Sequence, residues 1–302
     1  MYLNHFGLSE FPFALTPDTQ FYFDLPSHRE ALNVLHIALQ NGEGFIKITG
    51  AVGTGKTMLC RKLLHELQAP FITAYIPNPH LTADGLHMTL ADELGITFSQ
   101  SEGRSKLLQQ INAFLLQAAA NQQKPVLIID EAQAMPLETL EALRLLTNLE
   151  TEKKKLLQIV LLGQSELDQL LKKQSIRQLR QRISFSYTLK TLTARDISAY
   201  VKHRLSSALT IQPAIFSNTA NSALHFYSKG IPRLVNILAH KALLSAYGKG
   251  LNQIGVQQVI LAARDTEDTC LRRHPLECRK SLLLSLCLSL CLFMAHLFGF
   301  RL

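Results

Sequence analysis

The sequence predicts an α/β fold, a parallel sheet sandwiched by helices, followed by a small all-helical domain. Three observations carry that expectation. Apolar β-like runs alternate with segments of helical period as far as Leu189. A glycine-rich turn at 50–57 joins one of those runs to a helix. Beyond Leu189 the β-like runs stop and only helical periodicity remains. Strands alternating with helices build parallel sheets covered on both faces, whose strands read as near-continuous apolar runs.

Taken in order, residues 1–26 are aromatic and proline-rich, with Phe6, Phe11, Phe13, Phe21, Tyr22 and Phe23 around Pro12, Pro17 and Pro26. Proline excludes a long helix here, and an irregular strap packed on a globular body is expected. Ser27 is the expected cap of an amphipathic helix over 28–41, with Glu30 completing a capping box. FIKITG follows as the first β run, then FITAYIP (71–77), PVLIIDE (125–131), LLQIVLLG (156–163) and ISFSYTL (183–189). Helical segments are expected near 56–68, 82–95, 104–121 and 137–150, and in the second block near 193–209, 213–228, 231–247 and 253–263. These give domains at 1–190, 191–264 and 281–300, with a polar linker over 265–280 containing Pro275.

The chain has 302 residues, enough for a sizeable core; 47% are hydrophobic and 18% charged, which excludes a disordered or collagen-like chain. A formal charge of +8 is compatible with an anionic partner without choosing among nucleotide, nucleic acid and membrane. The five cysteines, at 60, 270, 278, 287 and 291, form no C-x-x-C pair, so a disulfide framework or zinc module is not expected. The N-terminus MYLNHFGLSEF lacks the basic and apolar regions of a cleaved signal peptide. Residues 281–300, SLLLSLCLSLCLFMAHLFGF, hold no formal charge and no polar face. Twenty helical residues at about 1.5 Å each span about 30 Å of hydrocarbon, so a C-terminal transmembrane helix is expected. Arg272, Arg273, Arg279 and Lys280 precede it and place the body in the cytoplasm.

The strongest chemical signal is Gly50-Ala51-Val52-Gly53-Thr54-Gly55-Lys56-Thr57, a G-x-x-x-x-G-K-[ST] loop after a β run and before a helix. Its glycines let backbone N–H groups converge on phosphate oxygens at a helix N-terminus. Gly50, Gly53, Thr54, Gly55, Lys56, Thr57 and Met58 are therefore the expected nucleotide-binding residues, with Lys56 on the phosphates and Thr57 on Mg²⁺. The run Val126–Ile129 delivers Asp130 and Glu131 to a strand end, where open α/β sheets bind ligands. Asp130 is assigned to the Mg²⁺ shell and Glu131 to the attacking water. Gln164, directly after the strand LLQIVLLG, either positions that water or caps the next helix. Arg177, Arg180 and Arg182 are either a solvated basic face or the source of an arginine finger for a neighbouring subunit. Arg233, in Gly230-Ile231-Pro232-Arg233 at a helix start, is either a surface arginine or a reporter of nucleotide state.

The loop GxxGTGKT, the DEAQ acid motif, LRLLTNLE, GQSEL, RQLRQRI and GIPRLVN resemble the AAA+ ATPases of the general secretion pathway protein A type. The opening FGLSEFPFALTPDTQFYF and SHREAL match as well, so the resemblance covers about residues 1–265. It implies a P-loop NTPase (AAA+) fold with a helical lid, and ATP and Mg²⁺ as cofactors. It matches Gln164 to the sensor-1 position, Arg182 (before Arg180) to the finger and Arg233 to sensor 2. Longer family members carry a peptidoglycan-binding domain after the membrane helix; with the sequence ending at Leu302, that function is not expected. The implied function is ATP hydrolysis in support of a type IV (MSHA-like) pilus or type II secretion apparatus at the bacterial inner membrane. The implied partners are further copies in a ring with a shared ATP site, and inner-membrane assembly proteins. A DNA-binding helper ATPase of transposition or replication is the alternative. The membrane segment and the lack of a DNA-reading module stand against it.

Overall fold

The computed structural model describes residues 2–16, 21–98, 103–150, 155–208 and 215–269. Two compact units result, one of Pro17–Lys190 and one that joins Met1–Thr16 to the chain from Thr191 onward. A short helix, α1 (Tyr2–Phe6), opens the chain. The first unit then runs α2 (Pro26–Asn41), β1 (Phe45–Thr49), α3 (Lys56–Glu66), β2 (Phe71–Ile76), α4 (Ala83–Glu93), α5 (Gly103–Ala120) and β3 (Lys124–Ile129). It continues with α6 (Leu137–Leu146), β4 (Gln158–Gly163), α7 (Ser165–Leu171), α8 (Arg177–Arg180) and β5 (Ile183–Thr188). The strands form one parallel sheet in the order β2-β3-β4-β1-β5, as the alternating runs predict.

Successive strand residues point to opposite faces, and both faces are apolar. Ile46 and Ile48 of β1, Val126 and Ile128 of β3, and Val160 and Leu162 of β4 share one core with α2 and α3. Leu127, Ile129, Ile159 and Leu161 fill the other, under α4, α5, α6 and α7. The edge strand β5 alternates half-buried and exposed residues instead.

The start of α2 differs from the expected capping box. Its N-cap is Leu25 and Pro26 holds the first helical position, so proline geometry rather than a side-chain bond starts the helix. The end of β5 recruits the two side chains: Ser27 Oγ accepts from the Lys190 backbone N at 2.8 Å, and Glu30 accepts from the Tyr187 hydroxyl at 2.6 Å.

The second unit is helical: α9 (Ala194–Ser207), α10 (Asn218–Ser228), α11 (Pro232–Gly248) and α12 (Val256–Arg264). Thr193 and Asp196 cap α9 reciprocally, Ser217 caps α10, and Pro232 starts α11. The N-terminal strap, expected on the sheet domain, packs here through residue 16. The reason is a set of specific bonds. Arg204 of α9, 6% exposed, donates to the Pro12 carbonyl at 2.6 Å and the Ala14 carbonyl at 3.0 Å. Ser9 Oγ donates to the Ala208 carbonyl, and Tyr2 Oη and His240 Nδ1 share a hydrogen bond at 2.9 Å. The expected membrane helix over 281–300 and most of the linker before it lie outside the described residues. Among the described residues no helix is long and apolar enough to cross a membrane.

Candidate nucleotide site

In the sheet, β4 lies between β1 and β3, so their carboxyl ends present, side by side, the loop 50–57, then Gly163–Gln164, then Asp130–Glu131. Here β1 has β4 on one flank and β5 on the other, the kind of chain reversal where open α/β sheets bind ligands.

The loop is braced from within and from behind. The Thr54 hydroxyl donates to the Ala51 carbonyl at 2.8 Å. Gly55 has φ +95°, and a Cβ there would stand 2.9 Å from His28 Nε2. Glycine is thus required both for the turn and for the approach of that imidazole. His28 Nε2 donates in turn to the Thr54 carbonyl at 3.0 Å, and burial lowers the imidazole pKa below its usual value.

Lys56 is 5% exposed, and its Nζ donates to the Gly50 and Ala51 carbonyls at 3.0 and 3.1 Å. Burial pushes its pKa down, while Glu131, Asp130 and Glu166 pull it back up. A buried ammonium whose contacts are neutral carbonyls favours an anion that can replace them. Beside it the Thr57 hydroxyl donates to Asp130 Oδ2 at 2.8 Å. Burial raises the Asp130 pKa; the bonds from Thr57 and from the Glu131 backbone N–H act the other way. A hydroxyl and a carboxylate side by side are hard oxygen donors, the set Mg²⁺ takes when it keeps waters and substrate phosphates.

Glu131 holds φ +50°, a left-handed conformation uncommon for a residue with a side chain. Its Oε2 accepts from Gln164 Nε2 at 3.0 Å. Gln164 is the N-cap residue of α7, yet its side chain makes no capping bond. The amide turns instead toward the acid that ends β3. Met58 follows in α3, half-buried.

The arginines divide. Arg182 donates through Nη1 to Thr147 Oγ1 at 2.6 Å and through Nη2 to Asn148 Oδ1 at 2.6 Å, at the C-terminal end of α6. Arg177 and Arg180 of α8 are exposed. Arg233 is exposed in the first turn of α11, in the other unit. Sequence reasoning passed over His28 and Gln133. A lone histidine in an amphipathic helix carries no signal. Gln133 was visible in DEAQ, but its partner lies 31 residues away.

A parallel sheet with a phosphate loop, an acid-ended strand and an amide between them defines a P-loop nucleoside triphosphatase of the AAA class. Residues 39–171 match the family model described as AAA domain. The chain is 44% identical over 263 residues to General secretion pathway protein A of Aeromonas hydrophila, covering 87% of this chain and 48% of that protein. Over that shared region the chain is similar to General secretion pathway protein A, and residues 39–171 carry the AAA domain that the sequence motifs imply. The chain spans about half the length of that relative. Among solved structures, the ORC2 protein of Aeropyrum pernix in ADPNP–ADP complexes is similar, with a TM-score of 0.59 and 16% identity over 84% of this chain and 72% of that one. CDC6p from Pyrobaculum aerophilum gives 0.60 and 18%, over 82% and 70%. The RuvB Holliday junction branch migration motor of Thermotoga maritima gives 0.52 and 19%, over 78% and 67%. At these identities the likeness is one of fold.

Proposed function

We propose that this chain binds ATP with Mg²⁺ at the loop 50–57 and hydrolyses it. The observation that carries the reading is the 2.8 Å bond between Thr57 and Asp130, which joins the phosphate loop to the acid-ended strand. Lys56 exchanges the Gly50 and Ala51 carbonyls for β- and γ-phosphate oxygens. Gly50, Gly53, Thr54 and Gly55 shape the loop, and Met58 continues the helix behind it. Thr57 and Asp130 hold Mg²⁺, which supplies charge neutralisation on the phosphates. Glu131 orients the attacking water and takes its proton as the new P–O bond forms and the bond to the ADP oxygen breaks. Gln164 fixes that carboxylate.

Arg182 is the proposed finger for a neighbouring copy in a ring, with Arg180 and Arg177 beside it, and Arg233 is the proposed reporter of nucleotide state from the helical unit. The biological role is assembly of a type IV (MSHA-like) pilus or type II secretion apparatus. Support comes from the similarity to General secretion pathway protein A. The apolar, uncharged run at 281–300 supports a single-pass anchor in the bacterial inner membrane with the ATPase body in the cytoplasm.

Two variants test the site. Lys56→Ala abolishes nucleotide binding in a fluorescent-ATP titration. Glu131→Gln keeps binding but lowers turnover by about 10²–10⁴-fold, the usual worth of a positioned base. Undiminished turnover in both sinks the assignment. For the anchor, the full chain pellets with membranes and a version lacking 281–302 does not.

A further inference from the structure

The bonds around the acid-ended strand assign Gln133 as the residue that positions Glu131 and Gln164 as one unit, an inference that rests on the hydrolysis reading above. Gln133 lies in a single helical turn, Ala132–Ala134, directly after Glu131. It uses both ends of its amide. Nε2 donates to Glu131 Oε2, and Oε1 accepts from the Gln164 backbone N at 2.9 Å. Gln164 then closes the loop, its own Nε2 donating to the same Glu131 oxygen at 3.0 Å. One side chain thus ties the end of β3 to the end of β4.

Two further observations support a site built for this contact. A Cβ at Gly163 would lie 2.8 Å from Leu167 Cδ2 and 3.1 Å from Gln133 Oε1, so the bare backbone there leaves room for both side chains. Glu131 itself sits at φ +50° and ψ 36°, a conformation that persists where surroundings over-determine it. Two amide donors on Oε2 provide that determination. They leave Oε1 as the oxygen with no hydrogen-bonded partner among the described residues.

A mere clamp between strand ends and a grip on the catalytic carboxylate make different predictions, and Gln133→Glu separates them. The substituted carboxylate can still accept from the Gln164 N–H, which keeps the clamp, but it sets a like charge against Glu131 where the amide donated. Expected for Gln133→Glu and Gln133→Ala alike is a fall in kcat of at least about tenfold, toward the ~10²-fold that an ångström of misplacement costs. KM and fluorescent-ATP affinity stay within about twofold, since the phosphate loop is untouched. Gln164→Ala lowers kcat similarly, and the double variant Gln133→Ala/Gln164→Ala is no worse than the poorer single one, because both amides act on one oxygen. Wild-type kcat in Gln133→Glu overturns the inference, as does a change confined to KM or a multiplicative double variant. Glu131→Gln, run in parallel, keeps the two ideas apart. Wild-type turnover there removes the hydrolysis reading itself, whereas an inactive Glu131→Gln beside a fully active Gln133→Glu removes this inference alone. Should Gln133→Ala fail to fold, Gln133→Glu with an unchanged melting curve decides.

Discussion

Among the described residues each unit buries one long cation, and the two are handled in opposite ways. Lys56, in the sheet domain, rests on two carbonyls of its own loop, with carboxylates near enough to influence it but none bonded to its Nζ. Arg204, in the helical unit, donates to the Pro12 and Ala14 carbonyls and lies 5.9 Å from the Tyr200 ring centre. The same desolvation cost is met in one case by a temporary arrangement and in the other by a permanent one. A planar guanidinium matches two fixed carbonyls and rivets a strap; a compact ammonium on a flexible stem can leave its carbonyls when phosphate arrives. Each cation donates to two carbonyls of its own chain, so what separates the binding group from the structural one is how readily the head group can leave them.

The largest expected effect follows from the unfinished state of Lys56. Saturating Mg²⁺ and a non-hydrolysable ATP analogue, at about a hundred times Kd, should stabilise the sheet domain by about 2.7 kcal/mol. For a domain of this size that raises Tm by roughly 5–10 °C. Lys56→Met should lose the whole shift, while the buried charge it removes offsets the Gly50 and Ala51 carbonyls it leaves unpaired, so that the nucleotide-free protein melts within a few degrees of the wild type. Calorimetry on both proteins, with and without the analogue, checks this. A Lys56→Met protein that melts many degrees lower without ligand would make that lysine a rivet too and dissolve the contrast.

Arg204→Met should do the reverse. It strands the buried Pro12 carbonyl and the part-buried Ala14 carbonyl, takes the guanidinium off the Tyr200 ring, and should destabilise the helical unit by about 2–4 kcal/mol. Hydrogen exchange should rise across 2–16 first, since these are the residues the guanidinium holds. Unchanged protection there would show that the aromatic contacts of Tyr2 and Phe13 hold the strap unaided.

Much of this was legible in the linear chain, for identifiable reasons. The strands of the sheet are apolar on both faces, so Val126–Ile129 and Ile159–Leu162 announced themselves as buried. The phosphate loop is local: eight consecutive residues carry its geometry, and their neighbours supply the strand and the helix. What escaped depends on distance along the chain. Arg204 finds Pro12 across 192 residues, which moves the strap from one unit to the other. Gln133 finds Gln164 across 31, and Ser27 finds Lys190 across 163 in preference to its own helix end. Polar side chains with one local and one remote option are those that sequence periodicity cannot resolve.

The smallest effect concerns a third buried group, the His28 imidazole behind the loop, which sharpens the comparison because its charge is optional. Nε2 is committed to the Thr54 carbonyl, and Nδ1 is buried without a hydrogen-bond partner. Protonating Nδ1 would create a buried, unpaired cation, and the folded-state pKa accordingly lies below 6.5, with burial the main cause and the bond to the Thr54 carbonyl, then Asp24, opposing it. The unfolded chain therefore takes up this proton first as the pH falls. Stability from this group is complete above about pH 6.5 and is lost as the pH drops through the folded pKa, at no more than ~1.4 kcal/mol per pH unit. His87, His203 and His240 are lowered by burial too and contribute in the same direction, so the acid-side slope is a sum. His28→Gln keeps an N–H for Thr54 and removes one proton from that sum. Urea unfolding at pH 7.5 and 5.5 should then show a smaller loss of stability in the variant than in the wild type. An equal loss in both would mean that the loop tolerates a charged His28, and that the neutrality of its brace is incidental to holding Gly55 and Thr54 in place.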